Sequence, residues 1–352
     1  MNEGQTEPSA ESSQVRENEM LKENNRRFVL FPIQHSHLWH SYKLTEAKFW
    51  SAEEIELADD LDDFNALPRR ERVSVLHIVA SMAAQPAANT LLSRLSNEIQ
   101  ASEARAYLGF QIMQAAVHTV DSTKMRKKWI DTYILSELAP FPLRMTSLAV
   151  FYRMAFTVQA YYAFACRGTS SLPGFVHATA KIYRDWVEYS RFSLQLVLQH
   201  FSAPSQESPF SHSNSDWEDV GLELIEGMVR EFAAVQIRWV DELLEISGNY
   251  LGLPGGTHVD PEAMKEFIRY SGNVILKDMS SWSANGGIFQ FALDSTQGDV
   301  ASGVQSVLET EASKDEVEQN QTLQDQRLAM AKTAGSGAGD GKERTFELSF
   351  DF

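Results

Sequence analysis

The sequence predicts an all-α protein built as a helical bundle. Three observations carry that reading: apolar residues recur at 3.6-residue spacing through a series of long segments, alternating strand patterns are almost absent before residue 300, and the connections are short. The serine-rich stretch from Ser202 to Ser215 is the exception.

Taken in order, residues 1–26 are polar and poor in aromatic side chains, so a disordered tail is expected there, with folding beginning near Arg27. Ser51-Ala-Glu-Glu54 has the spacing in which a serine hydroxyl caps the third backbone N–H while the glutamate reaches back, which predicts a helix start at Trp50-Ser51. Helical segments follow near 68–84, 89–121, 124–137, 142–167, 174–201, 216–247 and 261–275. Asp260-Pro261 opens the last of them with a cap and a first-turn proline.

After about residue 296 the character changes. Glu309 to Leu328 is polar and weakly helical, Ala334 to Gly341 reads as a flexible linker, and the chain ends in Phe346, Glu347, Leu348, Ser349, Phe350, Asp351 and Phe352. Apolar and polar side chains alternate in that terminus. So short a motif on a flexible tether is expected to dock into a partner's groove, with an apolar anchor at every second residue. The expected organisation is a tail over 1–26, a helical domain over 27–296 and a flexible tail over 297–352. The linker's glycines fit neither the dinucleotide fingerprint nor a phosphate-binding loop, because Asp340 interrupts them and Glu343 follows Gly341-Lys342.

Composition narrows the function classes. A chain of 352 residues, 43% apolar and 11% aromatic, can bury one large core or two modest ones. Its 31 basic and 48 acidic residues give a net charge of −17, which repels phosphate backbones and anionic membrane surfaces, so neither nucleic acid nor membrane is an expected partner. A lone cysteine, Cys166, excludes an intrachain disulfide and a four-thiolate zinc cage, and its apolar surroundings predict a buried, inert thiol. Residues 1–27 hold no apolar stretch of signal-peptide type. The longest apolar segment, Leu148 to Cys166, is broken by Arg153 and Gln159, short of the roughly 20 apolar residues a bilayer span needs. A soluble, cytoplasmic protein is expected.

Separated blocks, in order, point to a family. Arg26-Arg27-Phe-Val-Leu-Phe-Pro-Ile33, Phe49-Trp50-Ser-Ala-Glu-Glu-Ile-Glu-Leu57 and Glu103-Ala-Arg-Ala-Tyr-Leu-Gly-Phe-Gln-Ile112 resemble stretches of class I ribonucleotide reductase small subunits. Leu172-Pro-Gly174 and Arg184-Asp185 resemble the segment that opens the helix carrying the second half of that family's metal site, and the acidic, phenylalanine-ended terminus is similar as well. The resemblance implies a ferritin-like bundle. It also implies a di-iron or iron–manganese centre, built from carboxylates on two helices and a Glu-x-x-His pair on each of two others. Residues three apart share a helix face, so a carboxylate and an imidazole can grip one metal.

This chain departs from that pattern. No histidine has a glutamate three residues earlier: Pro32, Gln34, His37, Ser74, Ala115, Gly174, Val197, Pro209 and Gly255 precede His35, His37, His40, His77, His118, His177, His200, His212 and His258. Aligned with the family, the two pairs become Ala115 with His118 and Trp186 with Tyr189. The early aspartate falls near Gln85 or Pro86, and a further glutamate falls at Phe151. Only His118 holds a ligand type, and taken alone it reads as a hydrogen-bonded core histidine. The radical-tyrosine position is Ser122, with Tyr133 a neighbour only if the helix is shifted. Trp50 and Asp185 match residues of the family's radical-transfer route, whereas the tyrosine of its tail step aligns with Asp325, and the last tyrosine here is Tyr270.

Other features have ordinary readings. His35, His37 and His40 read as a polar surface face rather than a weak metal site, Trp186, Tyr189 and Phe192 as a core stripe, and Lys124 to Lys128 as a solvated helix face. The resemblance thus implies a catalytically degenerate component of the oxidoreductase complex ribonucleoside-diphosphate reductase, supporting deoxyribonucleotide supply for DNA replication. No cofactor of its own is expected. Its implied partners are a metal-bearing small subunit, met through a helical face, and the large subunit, met through Phe346 to Phe352. Two alternatives stand beside it: an active radical or oxidase enzyme whose Glu103, Asp121 or Glu188 converge on His118, and a competitor for the large subunit's docking groove.

Overall fold

The computed structural model describes residues 20–82, 87–115, 124–136, 138–201, 222–280 and 298–313. Their order is α1 (Ser36–Glu46), α2 (Ala58–Ala66), α3 (Arg69–Met82), α4 (Ala87–Glu98), α5 (Ser102–Ala115), α6 (Lys124–Tyr133), α7 (Phe141–Met154), α8 (Thr157–Arg167), α9 (Pro173–Phe201) and α10 (Leu222–Ile246). A two-residue hairpin of β1 (Gly252–Leu253) and β2 (Thr257–His258) then leads to α11 (Pro261–Ser280) and α12 (Gly298–Ala312). Gly255 and Gly256 turn that hairpin at positive φ, a conformation that needs no Cβ. The all-α expectation holds, and the fold is a ferritin-like helical bundle.

Helix α7 forms the centre. Every residue but Arg144 is buried, and it packs against α9, α10 and α11. Helix α9, 29 residues and so about 44 Å long, lies along α7 and also receives α8 and α12. Its first turn is fixed from α2: Asp60 accepts the Gly174 N–H at 2.8 Å and the Phe175 N–H at 2.6 Å. Gly174 is required at that crossing, since a Cβ there would collide with the backbone carbonyl of Glu56 and with the Leu57 side chain.

Several boundaries differ from expectation, each for a tertiary reason. The segment expected over 89–121 is broken at residues 99–101. Arg105 takes the Ile99 carbonyl at 3.2 Å and also that of Ser96, and the Gln100 N–H donates to the Met20 carbonyl at 2.6 Å. The segment expected over 142–167 breaks at Ala155-Phe156, where the Thr157 hydroxyl donates to the Met154 carbonyl at 2.8 Å. The capping box at Ser51 is present, with the Glu54 carboxylate accepting the Ser51 N–H at 3.0 Å, but it opens a single 3-10 turn, Ala52–Glu54, instead of a long helix. Helix α1 was not expected at all.

Both limits of the folded body also move. Met20 is buried in the core, so ordered packing starts before Arg27. Residues 298–312, placed in a flexible tail by their sequence, form α12 and pack on α9. Val304, Leu308 and Ala312, four apart, supply a narrow buried stripe. Among the described residues no helix is long and apolar enough to cross a membrane.

Candidate functional site

Trp50 and Asp185 are brought together in the interior. The Trp50 indole N–H donates to Asp185 Oδ2 at 2.8 Å, and both side chains are buried. Trp50 ends the segment after α1, and Asp185 sits mid-way along α9, so the contact ties the N-terminal layer to the central helix pair. Arg184 completes the arrangement: its guanidinium lies 3.3 Å from Asp185 Oδ1 and donates to the carbonyls of Lys48 at 3.0 Å and Ala312 at 3.2 Å. The ammonium of Lys181 stands over the Trp50 ring at 5.8 Å. A buried carboxylate is thus met by an indole and a guanidinium, which offsets its loss of hydration.

One turn further along α9 lies a closed aromatic cluster. Phe151 of α7 and Trp186 of α9 face each other with ring centroids 5.6 Å apart. Tyr152 meets Trp186 at 5.6 Å and Tyr189 at 5.4 Å, and Phe156 closes on Trp186 at 5.4 Å. Tyr107 of α5 approaches Tyr189 at 6.3 Å and Phe192 at 3.9 Å, while Phe232 of α10 approaches Phe151 at 6.1 Å. All of these side chains are buried. Such pairs add about 0.5–1.5 kcal/mol each beyond the area they bury. Burial drives the phenols of Tyr107, Tyr152 and Tyr189 above their ordinary range, and the Asp185 charge adds to this at Tyr107 and Tyr189. They stay protonated at neutral pH.

Phe151 and Trp186 are thus in direct ring contact, and Tyr189 joins them through Tyr152. Ala115 is the last residue of α5. His118, Ser122, Gln85, Pro86, Asp121, Asp325 and the terminal Phe346 to Phe352 lie outside the described residues. Tyr133 donates instead to Glu231 at 2.7 Å, on the α6–α10 side of the bundle. Tyr107, Tyr152, Phe156 and Phe232 were not singled out from sequence. Tyr152 adjoins Phe151, but only the crossing of α7 with α9 reveals that both flank Trp186.

The carboxylates considered as displaced ligands are engaged elsewhere. Glu188 pairs with Arg191 at 2.9 Å and Lys48 at 3.8 Å. Glu103 accepts the backbone N–H groups of Gln34 at 2.5 Å and His35 at 3.0 Å, just ahead of α1. Burial raises the Glu103 carboxyl, but those N–H donors lower it by more, and it ends below the usual carboxylate range. Because its folded value is the lower one, this tie adds stability above the unfolded value of about 4.3 and loses it as pH falls toward the folded value. E103Q is expected to lower the urea midpoint at pH 7 and to shrink the difference between midpoints at pH 7 and pH 3.5. Equal pH differences in both proteins would contradict that role.

The remaining candidates resolve simply. His35 Nδ1 lies 3.1 Å from the Gln199 amide nitrogen, and no group of three or more His, Cys, Asp or Glu suited to a metal occurs among the described residues. The basic run is not wholly solvated: Arg126 is buried, bonded to Gln236 at 2.9 Å and stacked over Trp239, whereas Lys127 and Lys128 are exposed. Cys166 is buried, and desolvation pushes its thiol up to about 12, the mark of an unreactive side chain.

Comparisons with known proteins agree with this architecture. The sequence profile described as "Ribonucleotide reductase, small chain" matches residues 27–120. Ribonucleoside-diphosphate reductase subunit M2 of Danio rerio is 40% identical over 134 residues, 38% of this chain and 34% of that protein. The small chain of Schizosaccharomyces pombe is 32% identical over 195 residues, 47% of this chain and 50% of that one. The matched stretch thus spans a third to a half of the length of these relatives. In three dimensions, the ribonucleotide reductase Rnr4 homodimer from Saccharomyces cerevisiae superposes with a TM-score of 0.59 at 21% identity, covering 82% of this chain and 92% of that one.

Proposed function

We propose that the chain is a member of the ribonucleotide reductase small-subunit family and, within it, a degenerate, auxiliary small subunit of ribonucleoside-diphosphate reductase. It carries no metal–radical centre of its own. It pairs with a metal-bearing small subunit through a helical face and docks on the large subunit through Phe346 to Phe352, supporting deoxyribonucleotide synthesis in the cytoplasm.

The observation that carries this reading is the aromatic packing of Phe151, Trp186 and Tyr189, the positions that the sequence resemblance aligns with family ligands. A di-iron or iron–manganese centre needs several carboxylates and imidazoles converging on one point. These positions offer a phenyl, an indole and a protonated phenol, none of them a carboxylate or an imidazole, which do not fit such a centre. The Trp50–Asp185 pair persists as a structural brace between the layers.

A titration tests the role. Added to the large subunit with a limiting amount of metal-bearing small subunit, the chain is expected to sustain or raise nucleoside-diphosphate reduction. A version ending before Phe346 is expected to lose the effect. Dose-dependent inhibition that disappears with the same truncation would instead establish a competitor.

A further inference from the structure

Arg153 places a cation in the central helix α7, where it is only 3% exposed. Its Nε is buried without a partner, and no ion pair or hydrogen bond joins its guanidinium to another group among the described residues. The other buried arginines are met: Arg184 by the Asp185 carboxylate and Arg126 by the Gln236 side chain at 2.9 Å. Arginine keeps its proton at any pH a protein meets, so this charge cannot be shed. A buried charge left unmatched is among the costliest features a fold can carry.

Residues 152 and 153 project about 100° apart around α7. Tyr152 meets the aromatic cluster, whereas the Arg153 charge acts on the phenols of Tyr183 in α9 and Tyr270 in α11. Helix α11 packs on α7 and on α12, and both α7 and α12 pack on α9, so the guanidinium lies at a junction of helices. Tyr183 is 1% exposed, and its hydroxyl also lacks a partner, the neighbouring Ser271 hydroxyl being committed to the Phe267 carbonyl at 2.9 Å. Burial pushes the Tyr183 phenol up to about 12 against the opposing Arg153 charge, which leaves it an O–H donor at neutral pH. Glu309 of α12 acts on the same two phenols, but its carboxylate accepts the Gln305 amide at 2.9 Å and makes no ion pair with Arg153.

We propose that Arg153 and Tyr183 form an internal site for one small monovalent anion of the chloride class, held between the guanidinium and the phenolic O–H where α7, α9 and α11 meet. Charge selects the occupant: one cation matches one negative charge, and the Glu309 carboxylate nearby disfavours a second, which excludes a phosphate dianion. The surroundings select for size. The Phe267 ring lies 6.0 Å from that of Tyr183, and Tyr270 stacks on Phe267 at 6.3 Å, walls that suit a compact, weakly hydrated ion rather than an organic acid. The ion supplies the counter-charge that the chain omits and ties α7 to α9 through two charge-assisted hydrogen bonds. Folding is thereby linked to anion concentration.

Chloride is the probe. The full chain would be melted at fixed pH and ionic strength while chloride replaces gluconate, an anion too bulky for the site, and the line width of the chloride nuclear magnetic resonance signal would be followed on the same samples. The wild type is expected to gain melting temperature with chloride and to broaden the signal. R153M keeps a long side chain without its charge and is expected to lose both responses. Y183F, which deletes one hydrogen bond to a charged group, is expected to need about tenfold more chloride for the same response. A wild type indifferent to chloride in both readouts overturns the site. A response of undiminished strength in R153M overturns its placement. Where R153M fails to fold, Y183F decides, and a chloride dependence equal to that of the wild type overturns the proposal. A response that appears only in E309Q makes Glu309 the counter-charge and overturns it as well.

Discussion

Trp186→Glu, which puts a carboxylate at the position proposed to correspond to a family ligand, is expected to unfold the protein or leave it barely folded. Truncating a buried tryptophan to a small side chain costs about 3–5 kcal/mol through lost transfer energy and the cavity left behind. Glutamate fills part of that space but introduces a charge among Phe151, Tyr152 and Phe156 with no cation within the cluster to meet it. Such a carboxyl either ionises at a cost of several kcal/mol or takes up a proton. The total is of the same order as the whole stability of a typical domain, about 5–15 kcal/mol. Trp186→Phe keeps an apolar ring and is expected to cost less than about 3 kcal/mol. Urea unfolding followed by circular dichroism separates the two. A W186E protein of normal stability would mean that this centre is hydrated and roomy, as a metal site is.

The second large effect concerns Asp185. Asp185→Ala removes the acceptor of the Trp50 indole and the counter-charge of Arg184, and is expected to destabilise by about 3–5 kcal/mol. Trp50→Phe, which deletes one hydrogen bond and some buried area while leaving the ion pair, is expected to cost less, about 1–3 kcal/mol. The ordering D185A below W50F in urea midpoint is the diagnostic. If W50F were the more damaging, the indole's packing rather than the buried charge would hold the layers together.

The helices that make the core were legible because their apolar spacing is set by what they bury. The apolar segment Leu148 to Cys166, broken by Arg153 and Gln159, is almost entirely buried, and helix α7, which holds its first part, lies at the centre. What sequence could not place are the breaks near residue 100 and at Ala155-Phe156, since local helix preference runs through both. There the interruption is decided by distant or turn-local donors, Arg105 and Thr157. Helix α12 was missed because Val304, Leu308 and Ala312 form a narrow stripe in a short segment, and only the surfaces of α8, α9 and α11 make it worth burying.

The candidate site was legible in part. Trp50 and Asp185 lie 135 residues apart, and block resemblance alone suggested that they belong together. Phe151, Trp186 and Tyr189 read as substitutions in a ligand set; in the fold Phe151 meets Trp186, and Tyr189 reaches them through Tyr152. Tyr107, Tyr152 and Phe232 join them only through helix crossings that no single segment encodes. Arg153 was legible as a charge that interrupts an apolar segment, whereas its lack of a carboxylate partner shows only in the packed fold.

The most direct test of the central claim is metal content. The purified full chain would be reconstituted with ferrous iron, or with manganese and iron, in the presence of oxygen, then measured for bound metal and by electron paramagnetic resonance. An aromatic core at Phe151, Trp186 and Tyr189 predicts far less than one metal per chain and no tyrosyl signal. Two metals per chain with a tyrosyl radical would contradict it and make the protein an active radical-generating subunit.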